Sequence, residues 1–215
     1  MKILPLLRLL TLNIGFTILL IAFRIFYSES MMYIFFTWNL FLAAVPLFIS
    51  ITIKHVQHKF LQGVLFFCWL LFFPNALYII TDLVHLKERY PIPLWFDVVL
   101  VFSAAINGLL LAYYSLKIIE SFLTAKFTAR KTAFILFCSI FLSSFGVYLG
   151  RFLRWNSWDV VNHPRGLLLE ILQRFTNPFE HPRTWGMTII LTLFFSIFYF
   201  SIKKFSIINH ETNLV

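Results

Sequence analysis

The sequence predicts an all-α polytopic integral membrane protein with six transmembrane helices and one short interfacial helix. Apolar residues make up 60% of the chain and charged residues only 13%, which is far from the composition of soluble domains. The apolar residues also fall into runs long enough to cross a bilayer, separated by short polar segments. We expect a single transmembrane domain over residues 1–215, with spans at approximately 4–27, 32–53, 60–80, 94–116, 132–149 and 184–202.

The first run also resembles a signal peptide, because Lys2 and Arg8 precede an apolar core. Arg24 and Phe26, however, stand where small residues should precede a cleavage site. We therefore interpret this run as an uncleaved first helix. Arg24 lies one turn from its end and is expected to reach the membrane interface with its long side chain.

Polar residues follow the third run and begin the fourth. Pro74 is expected to kink or break the third helix and free carbonyl groups, for which Asn75 is a hydrogen-bond partner. Asp82 and His85 are three residues apart and would share a face of a continuing helix. Asp97 falls in the first turn of the fourth run, where the helix dipole favours a carboxylate. Deeper in this run, Asn107 is expected to bond to a neighbouring helix.

The longest polar interruption is residues 150–165, GRFLRWNSWDVVNHPR, called here the polar segment. It follows a fifth run whose small residues Ser139, Ser143, Gly146 and Gly150 form a stripe that allows close helix approach. After it, residues 166–175 predict a short amphipathic helix along the membrane surface, with its polar positions on one side. Those polar positions are Glu170, Gln173 and Arg174.

Loop charges predict that both termini are cytoplasmic. In this orientation the inner segments hold ten Lys and Arg residues and the outer loops hold seven, five of them between spans five and six. That loop keeps five arginines on the unfavoured side of the membrane, so we expect them to have a function. The net charge of +9 records loop orientation and does not indicate nucleic-acid binding. Cys68 and Cys138 lie within apolar runs and are interpreted as packing residues.

With this topology, polar groups from distant segments meet at the outer face. The candidate ligand-binding residues are Asn75, Asp97, Arg151, Arg154, Asn156 and Arg165, and the candidate catalytic residues are Asp82, His85, Asp159 and His163. Arginines bind phosphate groups bidentately, and Asp–His pairs supply acid–base groups or metal ligands. Alternatively, the carboxylates neutralise the arginines in a structural ion-pair network. No cofactor or metal is specified by these spacings.

Three stretches resemble a family of bacterial membrane proteins known as domain of unknown function 1361. They are FFPNALYIITDLVHL at residues 72–86, Phe96-Asp97, and GVYLGRFLRWNSWDV at residues 146–160. Leu77 stands where the family is expected often to have proline. The resemblance implies a multi-span membrane protein, and it brings no activity with it.

These observations favour a bacterial plasma-membrane protein that binds or processes a phosphate-bearing lipid or envelope precursor at its outer face. Its expected partners are the bilayer and an anionic or polyprenyl-phosphate lipid. The second hypothesis is a non-enzymatic accessory or scaffold subunit of an envelope complex, and the third is a transporter. Against the third, no carboxylate lies in the middle of a predicted span to relay protons.

The predicted topology is testable by thiol labelling of a variant lacking Cys68 and Cys138. Ser157→Cys should react with a membrane-impermeant reagent in intact cells or spheroplasts, because it lies in the polar segment. Thr128→Cys should react only after permeabilisation. The reverse pattern would move the polar segment to the cytoplasmic side.

Overall fold

The computed structural model describes residues 3–212, and the side chains of residues 4–205. This part of the chain contains eight α-helices and no β-strand, which confirms the all-α prediction. The α-helices are α1 (Ile3–Ser28), α2 (Phe35–His55), α3 (Lys59–Tyr78), α4 (Leu94–Thr124), α5 (Ala129–Leu153), α6 (Asp159–Asn162), α7 (Pro164–Thr176) and α8 (Pro182–Thr212).

Six helices in the described residues are long and apolar enough to cross a membrane. They correspond to the six predicted runs, but several continue beyond the apolar residues. α4 reaches Thr124 and α5 reaches Leu153. The helical hydrogen bonds continue past the last residues of the apolar runs into the polar residues that follow. The candidate spans are Leu4–Ser28, Phe35–His55, Lys59–His85, Leu94–Thr124, Ala129–Leu153 and Pro182–Phe205.

Pro74 does not end the third helix. α3 continues to Tyr78 and then tightens into a 3₁₀ helix, Ile79–His85. As expected, Asn75 supplies a local hydrogen bond, since its Nδ2 donates to the carbonyl of Phe72 at 2.9 Å. The tighter helix continues α3 and carries Asp82 and His85.

The chain divides into two compact units, Met1–Lys126 and Phe127–Val215. The single transmembrane domain stays a prediction. In the first unit, α4 packs against α1, α2 and α3, and α2 also packs along α3. The buried indole Nε1 of Trp69 on α3 donates to Ser115 Oγ on α4 at 2.8 Å, which joins these two helices within the apolar region.

A hydrogen-bonded cluster joins α1 to α4. Asn107 Nδ2 donates to Thr17 Oγ1 at 2.8 Å and to the carbonyl of Asn13 at 3.2 Å. Thr17 Oγ1 also lies 2.6 Å from Ser103 Oγ. The predicted bond from Asn107 to a neighbouring helix is confirmed. In an apolar environment such bonds fix how two helices are rotated relative to each other.

In the second unit, α5 packs mainly against α8. Small hydroxyl residues are buried on both helices, as the stripe on the fifth run predicts for a close helix contact. α7 covers the last turns of α5, where Leu167 and Ile171 pack against Phe145, Tyr148 and Leu149. The buried hydroxyl residues are Thr132, Ser139, Ser143 and Ser144 on α5, and Thr184, Thr188 and Thr192 on α8.

The predicted amphipathic helix is present as α7, although its position at the membrane surface stays a prediction. The expectation that Arg174 lies on a polar side is wrong, because Arg174 is buried at 6% exposure. Spacings of four and three residues place it on the same face as Leu167 and Ile171. The exposed apolar residues of α7 are Leu168, Leu169, Leu172 and Phe175.

Gly108 allows α4 to approach the end of α3. A Cβ at this position would lie 2.7 Å from the carbonyl oxygen of Ala76 and 3.2 Å from Ile79 Cβ. Gly108→Ala should therefore destabilise the protein by about 1–3 kcal/mol, as overpacking does. Thermal unfolding in detergent measures this effect.

The control is Gly63→Ala on α3, where a Cβ would meet nothing within 4 Å. It should be neutral or stabilising by up to about 1 kcal/mol, because alanine favours helix. Equal melting temperatures for the two variants would contradict the close approach of α4 to α3.

Candidate functional site

The predicted site residues fall into the two units. Asn75, Asp82, His85 and Asp97 belong to the first unit, where the 3₁₀ helix and the start of α4 carry three of them. The other six lie in the second unit, on the end of α5 and on the connection to α7. These are Arg151, Arg154, Asn156, Asp159, His163 and Arg165.

A buried ion pair dominates the first group. Arg24 Nε donates to Asp97 Oδ1 at 2.8 Å, and Arg24 Nη2 donates to Oδ2 at 3.2 Å. The side chains are 2% and 1% exposed. The interpretation that Arg24 extends to the membrane interface is therefore wrong. The planar fork of arginine matches a carboxylate with two parallel hydrogen bonds, which is the strongest form of this contact.

Tyr33 and Arg89 enclose the pair. The guanidinium carbon of Arg24 lies 4.2 Å from the centre of the Tyr33 ring, a cation–π contact in a desolvated position. Arg89 Nη1 donates to the Tyr33 hydroxyl at 2.9 Å and to the carbonyl of His85 at 3.2 Å. Burial and the charge of Asp97 raise the pKa of Tyr33, while the nearby arginines lower it. The hydroxyl thus stays protonated.

Asp82 and His85 form a second pair beside this cluster. Asp82 is buried, with Oδ2 accepting a hydrogen bond from Asn39 Nδ2 at 3.1 Å. His85 is 46% exposed, and its Nε2 lies 3.8 Å from Asp82 Oδ1, beyond hydrogen-bond distance. The arrangement places an accessible imidazole next to a buried carboxylate, which is a geometry suited to proton transfer after a small rotation of the histidine.

The sequence did contain a signal for the ion pair. Arg24 is a charge inside an apolar run, and such a charge generally needs a partner. Asp97 begins span four at the same membrane face at which span one ends. The sequence does not reveal how α1 is rotated about its axis. That rotation directs Arg24 towards α4 instead of lipid.

The second group begins where α5 ends. Arg154 adopts a left-handed backbone conformation, with φ 61° and ψ 26°. The N–H groups of Arg154 and Trp155 both donate to the carbonyl of Leu149, which closes the helix end. Glycine is the residue that this position usually selects, because the left-handed conformation costs other residues about 1–2 kcal/mol. An exposed arginine therefore occupies a position where arginine is conformationally unfavourable.

Asp159 organises the turn that follows. Its Oδ2 accepts from the backbone N–H of Asn156 at 2.7 Å and from Asn156 Nδ2 at 3.3 Å. His163 contacts Asp159 through the backbone, where its N–H donates to the Asp159 carbonyl at 2.8 Å. The side chain of His163 is exposed. The Asp159 carboxylate is thus used to shape the connection between α5 and α7.

The arginines of this unit outnumber the carboxylates near them in sequence. Residues 150–183 contain five arginines and three acids. Asp159 bonds to Asn156, and Glu170 pairs with Arg174 on the same helix. Arg154 and Arg165 are exposed, and Arg151 is half-buried. The surface around the polar segment is therefore positively charged.

Metal binding was one interpretation of the two Asp–His pairs. Within the described residues, no group of three or more His, Cys, Asp or Glu side chains is arranged to hold a metal ion. Arginine side chains of the kind exposed here are suited to anion binding, and an Asp–His pair is suited to acid–base chemistry.

Six apolar helices and charged residues at their ends define a polytopic helical membrane protein. The chain belongs to the family described as protein of unknown function (DUF1361), whose family model matches residues 38–198. This match confirms the resemblance seen in the three sequence stretches. Neither a curated protein nor a solved structure matches the chain.

The different environments of Asp97 and Asp159 predict different costs for the same substitution. Asp97→Asn leaves Arg24 charged and buried without its partner, which should cost about 3–5 kcal/mol. Asp159→Asn retains an oxygen that accepts from the Asn156 backbone, so it should cost about 1 kcal/mol. Thermal unfolding of the two variants in detergent measures the difference.

A double variant serves as the control. Arg24→Met with Asp97→Leu removes both charges and should recover most of the stability that Asp97→Asn loses. If Asp97→Asn melts like wild type, the buried ion pair described here is wrong.

Proposed function

We propose that this membrane protein binds a phosphate-bearing lipid or envelope precursor through the arginines of the polar segment, in the second unit. Arg151, Arg154 and Arg165, assisted by Asn156, are the proposed phosphate-binding residues, with Asp159 and His163 as carriers of local geometry or as acid–base groups. Within the first unit, we propose Asp82 and His85 as acid–base groups, with Asn75 and Asp97 as carriers of local geometry. The proposal includes a bacterial plasma-membrane location and cytoplasmic termini, as the loop charges predict.

The conformation of Arg154 is the observation that carries this proposal. A non-glycine residue with φ 61° persists where the surroundings or the function require that side chain. Asparagine or glycine would end α5 at lower cost. The arginine side chain is exposed at the end of a long apolar helix, and anionic headgroups are the abundant phosphate ligands at such a position.

α7 supports the same proposal. Its exposed Leu168, Leu169 and Leu172 form an apolar surface, which suits insertion between lipid headgroups and acyl chains. A helix anchored in this way would hold the neighbouring polar segment at headgroup level. Phosphate groups would then lie within reach of Arg154 and Arg165.

The scaffold alternative is favoured by one specific observation. Asp97 pairs with Arg24 in a fully buried contact, as expected for a structural ion pair. This pair lies at the helix ends of the first unit and does not involve the exposed Arg154 and Arg165 of the second unit. An accessory subunit would use that surface for an acidic protein partner, and it would show no preference for phosphate-bearing lipid.

Arg154→Gly is expected to change stability and lipid binding in opposite directions. Glycine relieves the left-handed backbone, so the variant should gain about 1 kcal/mol of stability, or a few degrees in melting temperature. The same change removes the fork that binds phosphate and should weaken binding to vesicles containing polyprenyl phosphate by about tenfold. Arg154→Lys keeps the charge and should weaken binding to a smaller extent.

Two controls match these changes. Glu29→Gly also replaces a non-glycine residue at positive φ, 52°, and should gain stability without losing lipid binding. Arg130→Gln removes an exposed charge from the opposite end of α5 and should bind like wild type. Undiminished binding by Arg154→Gly would reject Arg154 as a phosphate-binding residue. Equal binding to vesicles with phosphatidylserine as the sole anionic lipid would reject selectivity for polyprenyl phosphate among phosphate-bearing lipids.

A further inference from the structure

Several buried polar side-chain atoms lie at or near the start of α8. In the part of the chain that the structure describes, five such atoms make no hydrogen bond within the protein. Four of them belong to residues on α8 or directly before it, and the fifth belongs to Arg174 on α7. The atoms are Arg174 Nε, His181 Nε2, Thr184 Oγ1, Trp185 Nε1 and Thr188 Oγ1.

Helix periodicity brings the three α8 positions to one face. Thr184, Trp185 and Thr188 follow the spacing of one and three residues, so they share a sector of about 100°, and His181 directly precedes α8. Thr184 and Thr188 are both fully buried, at 0% exposure. The backbone N–H groups of Thr184 and Trp185 already donate to the carbonyl of His181. Side chains, not free backbone amides, therefore supply the hydrogen-bonding atoms.

Ring packing places the last turn of α7, which carries Arg174, beside this face. The Trp185 ring centre lies 4.9 Å from that of Phe175 and 5.9 Å from that of Phe145. Trp185 is thus held between α5 and the last turn of α7. Arg174 faces the same way as Leu167 and Ile171, which pack on α5, so its guanidinium points inward.

The unpartnered atoms are mainly hydrogen-bond donors, which indicates a ligand that accepts hydrogen bonds. Arg174 Nε and Trp185 Nε1 are hydrogen-bond donors only, and the threonine hydroxyls and His181 can also donate. Buried donors without partners are costly, so such a cluster requires an acceptor. Glu170 pairs with Nη1 of Arg174 and accepts nothing from Nε. A group that presents several acceptor oxygens at once satisfies the cluster.

We propose that Arg174 and the first two turns of α8 form a buried binding site for the oxyanion of a phosphate group. The site shares no residue with the phosphate-binding set proposed around Arg154, and it does not depend on that proposal. Arg174, His181, Thr184 and Trp185 provide the hydrogen bonds, and Thr188 lies one turn deeper in α8. The phosphate belongs either to a free ion or to a lipid headgroup.

The test uses the full chain, purified in detergent and stripped of lipid. Melting temperature is measured against inorganic phosphate, with chloride at equal ionic strength, and separately against phosphatidic acid in the micelles. Wild type should be stabilised by one of the two probes in a saturable way. Stabilisation by inorganic phosphate identifies a free ion as the ligand, and stabilisation by phosphatidic acid alone identifies a lipid headgroup.

Thr184→Val and Trp185→Phe test the residues with little change of shape. Neither removes a hydrogen bond within the described protein, so each should melt like wild type, or higher, without ligand. Each should weaken binding of the active probe by about tenfold, because it removes a donor to a charged group. The two single variants are measured separately, so that the result does not depend on a double variant that fails to fold.

Two matched controls lie on partnered residues. Thr192→Val, one turn further along α8, removes a hydroxyl that donates to the Thr188 carbonyl, and Trp69→Phe removes the bond to Ser115. Both should lower the melting temperature and keep the ligand-induced shift. Arg154→Gly should also keep the ligand-induced shift. Absence of any shift in wild type, or a full shift in Thr184→Val and Trp185→Phe, would overturn this site.

Discussion

The bidentate contact between Arg24 and Asp97 constrains the first unit more than any other interaction. Both charges are almost completely buried, so neither can be lost without leaving the other in an apolar environment. The contact fixes the end of α1 against the start of α4, while Asn107 and Thr17 fix the same helices deeper in the unit. Tyr33 lies just before α2, and Arg89 lies just after the 3₁₀ helix. Their contacts hold these two connecting segments against the ion pair. The position of Asp82 and His85 follows from that framework.

Helices and their approximate spans could be predicted from the sequence, because apolar runs and charged interruptions report directly on membrane insertion. The hydrogen bond of Asn75 and the amphipathic α7 were predictable because both depend on local spacing. The bond from Asn107 to a neighbouring helix was predictable because a polar side chain within an apolar span needs a partner. Arg24 and Arg174 were not. Both were assigned to polar surroundings, and both are buried, because burial depends on how a helix rotates against partners that are distant in sequence. The long side chain of arginine tolerates both a polar and a buried environment. The residue type alone therefore does not predict whether Arg24 and Arg174 are buried.

The polar segment shows a different limit. Its arginines, asparagines and Asp159 were predicted from composition to form a site, which stays a prediction, and the structure places them in unequal environments. Asp159 shapes the turn through Asn156, and Arg154 holds an unfavourable backbone conformation at the end of α5. Sequence spacing cannot reveal a positive φ at a residue other than glycine, since the usual signal for that conformation is glycine itself. Glycine is the residue expected at this position, and the presence of arginine instead suggests that its side chain has a function.

The claim that the polar segment binds a phosphate-bearing lipid is tested most directly by the lipids that leave the membrane with the protein. Wild type and the Arg151→Ala, Arg154→Ala double variant are extracted in the same detergent, and their bound lipids are quantified by mass spectrometry against the bulk membrane. The account predicts a phosphate-bearing lipid, anionic or polyprenyl, enriched with wild type and reduced towards its bulk proportion with the double variant. Equal enrichment with both proteins would contradict it.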